Sequence, residues 1–157
     1  MSSILPLPPA VVGEFVGRAH VDLSRVQELL GSYPSLIHAA FDWGNGDWET
    51  AMGAAAHSGR RDIVEFLLSK GARLDIFAAA FLGRLHLVKA FLSESPGALY
   101  QTGPHGISLL EHAKKGGDPE MVSYLTLRLD PNKGRGKARK STVAHAKSSR
   151  TKRRKAA

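Results

Sequence analysis

Seven histidines are the side chains in this chain best suited to hold a metal or carry a proton: His20, His38, His57, His86, His105, His112 and His145. Imidazole is the commonest metal ligand and the only unperturbed side chain that changes charge near neutral pH. None of the seven stands in an HExxH spacing, and there is no cysteine to complete a mixed Cys/His ligand set. His105 and His112 flank Ser108, but a site there needs a third ligand that the surrounding sequence does not nominate. No GxSxG elbow, phosphate-binding GxxxxGK[ST] loop or spaced pair of carboxylates is present. The GNGDWE stretch lacks the strand–helix context of a phosphate loop. The expectation is a non-enzyme with no metal and no cofactor.

The two tryptophans invite a different chemistry. Trp43 and Trp48 bracket Gly44-Asn45-Gly46, a turn signal that reverses a hairpin. Tryptophan is enriched among the residues that carry binding energy at interfaces, and a loop tip presents it to partners. Asn45, Asp47 and Glu49 share the tip. Trp43, Asn45, Asp47, Trp48 and Glu49 are therefore expected to form one recognition element, with the acids either reading a basic partner or solvating the loop. The competing expectation folds at least one indole back onto the neighbouring helices.

Those residues need a scaffold, and the sequence around them supplies one. TAMGAAAHSGRRDIVEFLLSKGA, from Thr50, holds an alanine-rich helix ending at Gly59 and an apolar helix ending at Gly71. Two glycine stops twelve residues apart leave room for a helical hairpin only. Related hairpins start at Ala78 and Ser108, and AHVDLSRVQELL from Ala19 supplies half of another. Val26, Val64, Val88 and Val122 anchor the second helices at spacings of 38, 24 and 34 residues. Self-similarity on this scale marks a solenoid, in which each hairpin buries its apolar face on the next. Helix starts are expected at Pro9 and Asp22, at Thr50, at Ser108 with Glu111 as a capping box, and at Asp118-Pro119. The short 24-residue interval leaves no room for a projecting finger at Gly71–Asp75. Fingers are expected before Thr50 and before Ser108, with a gap between them.

The Thr50 unit resembles the ankyrin repeat, whose period is about 33 residues and whose first helix reads TPLHxAAxxG. RDIVEFLLSKGA matches the second helix of that repeat closely, while Ala51 and Gly53 replace the family's proline and histidine. The resemblance extends more loosely over Val11 to Leu129. It implies an all-α, ankyrin-like solenoid of about four helix-turn-helix units with short irregular or β-finger loops. It also implies a protein-binding function, an as yet unidentified protein partner, and a concave groove lined by His57, Ser58, Phe81, Lys114 and Lys115, with core packing as the competing expectation for Phe81.

Charge divides the chain in two. Residues 131–157 carry 11 of the 22 Lys and Arg and none of the 14 acids, leaving 11 basic against 14 acidic residues in 1–130. The basic stretch holds Lys133, Arg135, Lys137, Arg139 and Lys140, then Lys147 and Arg150, then Lys152, Arg153, Arg154 and Lys155. With Val143 as its one large aliphatic residue and no aromatics, it is expected to be a disordered tail. Its charge suits non-specific attraction to nucleic acid or another polyanion by counterion release. The alternative reading makes that tail the main source of affinity in a nucleic-acid-binding protein. No apolar run approaches the ~20 residues of a membrane span. A cytoplasmic monomer is expected, or a nuclear one in a eukaryote.

Overall fold

The computed structural model describes residues 6–130. The basic segment from Lys133 to Lys155 lies outside the described residues. Among them are eight α-helices: α1 Pro9–Arg18, α2 Leu23–Ser32, α3 Ala51–Ser58, α4 Arg61–Ser69, α5 Ile76–Phe81, α6 Leu85–Glu94, α7 Leu109–Gly116 and α8 Pro119–Leu129. Strands β1 (Ala40–Asp42) and β2 (Trp48–Thr50) form an antiparallel hairpin ahead of α3. Each odd-numbered helix packs on its even-numbered partner, and α1, α3, α5 and α7 stack as an inner layer. This is the all-α, ankyrin-like solenoid.

Side-chain caps start five of the helices. Asp22, Thr50, Asp75, Ser108 and Asp118 each accept a hydrogen bond from the backbone N–H three residues on, satisfying a donor that the helix leaves free. The Ser108 box is half made, because the Glu111 carboxylate accepts from Lys114 Nζ at 2.7 Å. Asp75 belongs to the short connection and was not foreseen as a cap. Gly59 and Gly117 close α3 and α7 at φ 81° and 78°, the left-handed conformation that glycine adopts without steric cost.

The inner helices touch because their facing residues are small. Ala54, Ala55, Ala56, Ala78 and Ala80 are buried, and a methyl group at Gly116 would lie 1.8 Å from the Phe81 carbonyl oxygen. The outer helices supply the bulk: Val26, Ile63, Val64, Leu67, Val88 and Leu92 are buried. In α8 the expected anchor Val122 is only half-buried, and its neighbours Met121 and Leu125 fill the core.

Finger placement follows the spacing. The 40–50 hairpin projects before α3, no strand forms between α4 and α5, and only a single bridge, Thr102 to Ser108, stands before α7. The hairpin is seated on α1. Gly13 and Gly17 lie four residues apart on one helix face. A Cβ at Gly13 would come within 2.9 Å of the Phe41 ring, and one at Gly17 within 3.7 Å of Trp43. Two absent side chains thus make the seat for two aromatic rings, which meet edge to face at 4.8 Å.

Gly116→Ala is expected to destabilise the body by about 1–3 kcal/mol or more, since the clash is with backbone that cannot rotate away. Gly31→Ala, where nothing lies within 4 Å, should be neutral or slightly stabilising on helix propensity. Urea denaturation followed by circular dichroism measures both, and equal midpoints for the two variants would contradict the close α5–α7 approach.

Candidate functional site

A cluster of titratable side chains beside the hairpin is centred on Glu49, a carboxylate that the sequence places in an exposed loop and the structure buries to 1% exposure. Alternation along β2 is the reason: Trp48 points out, Glu49 in. Burying a charge is costly unless it is hydrogen-bonded and paired. Glu49 meets both demands without a lysine or arginine among its described partners. Trp43 Nε1 donates to Oε2 at 2.7 Å, and His57 Nε2 lies 2.7 Å from Oε1. His20 Nε2 and His105 Nε2 stand 3.6 and 3.5 Å from Oε2. Burial alone would raise the Glu49 pKa. The His57 and Trp43 hydrogen bonds and the His20 and His57 imidazoles outweigh it, so the carboxyl titrates below its usual range.

Each imidazole arrives from a different segment. His20 follows α1, with its Nδ1 3.1 Å from the Gly17 carbonyl. His57 occupies the last turn of α3. His105 sits in the loop before α7 at φ 57°, a left-handed conformation unusual for a residue with a side chain. Asp47, in the hairpin, holds it there. One carboxylate oxygen accepts from the His105 backbone N–H at 2.8 Å, and the other lies 2.6 Å from Nδ1. These His105 contacts hold the Asp47 carboxyl below its usual range. The His20 and His105 rings lie 4.9 and 5.3 Å from His57, centroid to centroid. One ligand atom from each of His20, Glu49, His57 and His105 lies within 4.8 Å of all the others.

His112 stands behind this cluster, fully buried, with its ring 6.4 Å from His57 and 5.1 Å from Phe77. Burial lowers its pKa, against the raising effect of its bond to the Ser108 carbonyl. Its Nε2 has no hydrogen-bond partner.

The missing middle finger leaves a cleft of roughly 600 Å³ between the hairpin and the 102–106 loop. Trp48, Asp47 and Asn45 form one wall, Pro104 and His105 the other, and Phe77 and Gly53 contribute to the lining between them. Trp48 is 61% exposed.

Several expected recognition residues therefore lie elsewhere. Phe81 is core, 2% exposed, because α5 turns it against the α3 side of the stack and under the Arg61 guanidinium. Glu49 is buried, and His57 is turned inward onto it. Trp43 keeps part of its ring in solvent, but its indole N–H is committed to Glu49. Asn45 and Trp48 stay exposed at the hairpin, and Asp47 is partly so. Ser58 is half-buried. Lys114 and Lys115 are exposed at the end of α7, where the Lys115 side chain runs beside Gly59 at the end of α3. The His20–Glu49–His57–His105 constellation was not foreseen.

Residues 47–78 match the Ankyrin repeat family. The chain carries an ankyrin repeat. The matched segment runs from Asp47 through the cap of α3, the α3–α4 hairpin and the short connection into α5. It contains Glu49 and His57, whereas His20 and His105 lie in the flanking units. No curated protein and no solved structure matches the chain.

Trp43→Phe should lower stability by about 1–3 kcal/mol, because it leaves a buried carboxylate oxygen without its indole donor. Trp48→Phe should change stability by less than about 0.5 kcal/mol. Chemical denaturation of the two variants decides the matter, and equal losses would mean that the indole N–H does not support Glu49.

Proposed function

We propose that this protein is a non-catalytic protein-binding module that takes its partner in the cleft between the 40–50 hairpin and the 102–106 loop. The observation that carries this reading is Trp48. It is a large aromatic, mostly exposed, at the rim of a cleft, on a repeat of a kind associated with protein–protein interaction. Glu49 underneath does not contact the partner; it fixes the hairpin that presents Trp48. The cleft is mixed in character, with Phe77 and Pro104 offering apolar contact and Asp47, Asp75 and Thr102 offering polar contact. That suits a partner segment with one apolar anchor and hydrogen-bonding flanks better than a flat apolar face.

The basic segment from Lys133 to Lys155 supports a second, weaker interaction. Eleven cations without a compensating acid favour a polyanion, and the lack of aromatics leaves nothing to stack on bases. The 11:14 balance of basic to acidic residues in 1–130 argues against nucleic acid as the ligand of the cleft.

A partner recovered on the immobilised full chain should bind the Trp48→Ala variant at least tenfold more weakly, with an unchanged melting temperature. Tyr100→Ala, 72% exposed but outside the cleft, should bind it as the native protein does. Equal affinity for all three proteins would remove the cleft from the interaction. Binding of duplex DNA should fall steeply with salt, with a log–log slope of about −5 to −9 if most of the basic segment engages, and truncation at Pro131 should abolish it.

A further inference from the structure

We infer that His20, Glu49, His57 and His105 form a zinc-binding site that joins three repeat units. The inference starts from the tautomers. A carbonyl oxygen only accepts, so the bond between His20 Nδ1 and Gly17 O requires the proton on Nδ1. Asp47 places the same requirement on His105 Nδ1. A neutral imidazole has a single N–H, so Nε2 of His20 and Nε2 of His105 each present a lone pair. Both lone pairs sit beside the same oxygen, Glu49 Oε2, at 3.6 and 3.5 Å. Those separations are too long for hydrogen bonds. With both imidazoles neutral, three electron-rich atoms face one another, and a cation between them relieves their repulsion.

The distances suit a metal. Two ligands each about 2.0–2.1 Å from a tetrahedral zinc ion lie ~3.3–3.4 Å apart. The Nε2–Oε2 separations fall close to that; His57 Nε2 donates to Oε1 at 2.7 Å, lies within the same 4.8 Å cluster, and completes the set by giving up that proton when zinc binds. Three imidazoles and one carboxylate are a nitrogen-rich donor set of the kind zinc accepts, and they leave no thiolate for softer ions.

The supporting shell is that of a metal centre. A ligating histidine typically donates its second ring N–H to a carboxylate or a backbone carbonyl, which fixes the ring and the tautomer. His105 donates to Asp47 and His20 to Gly17. Trp43 does the same for the carboxylate ligand. Asp47 also takes the backbone N–H of His105 and so holds that residue in its left-handed conformation. Two independent bonds are thus spent on aiming one imidazole at Glu49. Four protein ligands fill a tetrahedral shell, which makes the site structural rather than catalytic. Its effect is to tie the end of α1, the hairpin with α3, and the loop before α7 to one ion.

The test uses the full chain, stripped with chelator and titrated with zinc alone. One ion per chain is expected to bind saturably and to raise the melting temperature with zinc concentration. The Nε2 nitrogen resonances of His20, His57 and His105 should shift on binding, while those of the exposed His38 and His86 stay in place. Cobalt in place of zinc should give the intense visible bands of a tetrahedral ion. His57→Gln and His105→Gln should each weaken zinc binding at least tenfold, and Asp47→Asn by about 10–100-fold through its hold on His105. His38→Gln and His86→Gln should not. The resonance shifts are read on the unsubstituted protein, so they decide the matter even where a variant fails to fold. Zinc binding that leaves the three Nε2 resonances unmoved, or an absence of saturable binding, would overturn the inference.

Discussion

The close approach of the inner helices is the constraint on which the rest of this structure depends. Short helices in water do not hold their conformation alone, and no helix among the described residues exceeds 11 residues. Their stability comes from stacking, and the stack is tight only where side chains are small. Alanine triplets in α3 and α5 and Gly116 in α7 let one backbone meet the next. α5 has just six residues, and α3 therefore also contacts α7 directly. That shortening, together with the missing middle finger, brings the 102–106 loop across to the 40–50 hairpin. The Asp47–His105 contact joins residues 58 apart in sequence, and it exists because the unit between them is small.

The second dependence runs through Glu49. A carboxylate at 1% exposure must be held by groups whose combined hydrogen bonding and charge offset its lost hydration. Here they come from the hairpin itself, from the end of α1, from α3 and from the last loop. Loss of any one would expose the others to an uncompensated charge, which is why such networks hold their members in register. The hairpin that carries Trp48 is therefore not a free loop. Its Phe41 and Trp43 are seated on Gly13 and Gly17, its Glu49 is locked beneath the histidines, and its turn is fixed by the Asp42 bond to the Gly44 N–H at 2.8 Å. A recognition residue on such a support loses little conformational freedom on binding.

Much of the fold was legible in the chain because it rests on local rules. Glycine stops, capping residues at Asp22, Thr50, Ser108 and Asp118, and the Pro9 start each act within a few residues of themselves. The 24-residue interval announced the missing finger for the same reason. Val122 was misread as the anchor of α8 because a one-residue rotation of that helix separates it from Met121, and spacing between repeats is not that precise. Phe81 fits the groove or the core from sequence alone because the alanine-rich run of α5 makes either face of so short a helix plausible; the structure packs it into the core with the preceding unit, under Arg61. Glu49 reads as a loop acid among Asp42 and Asp47. Only the strand alternation of β2, a three-residue element, turns it inward.

The histidine cluster was hidden by its construction, although one signal for it was present. His20, His57 and His105 lie 37 and 48 residues apart, far outside the ligand spacings that mark a site on one helix or one loop. In a solenoid, however, equivalent positions of successive repeats become neighbours. His20 and His57 each follow an alanine at the end of an inner helix, His20 six residues before the core Val26 and His57 six and seven before Ile63 and Val64, and their rings lie 4.9 Å apart. Aligning the units on their helix ends rather than on the anchor valines would have paired these two. His105 has no such counterpart, because it enters from a loop rather than from the end of a helix. It reaches the cluster through the space that the missing finger vacates, so the irregularity that breaks the repeat is also what completes the site.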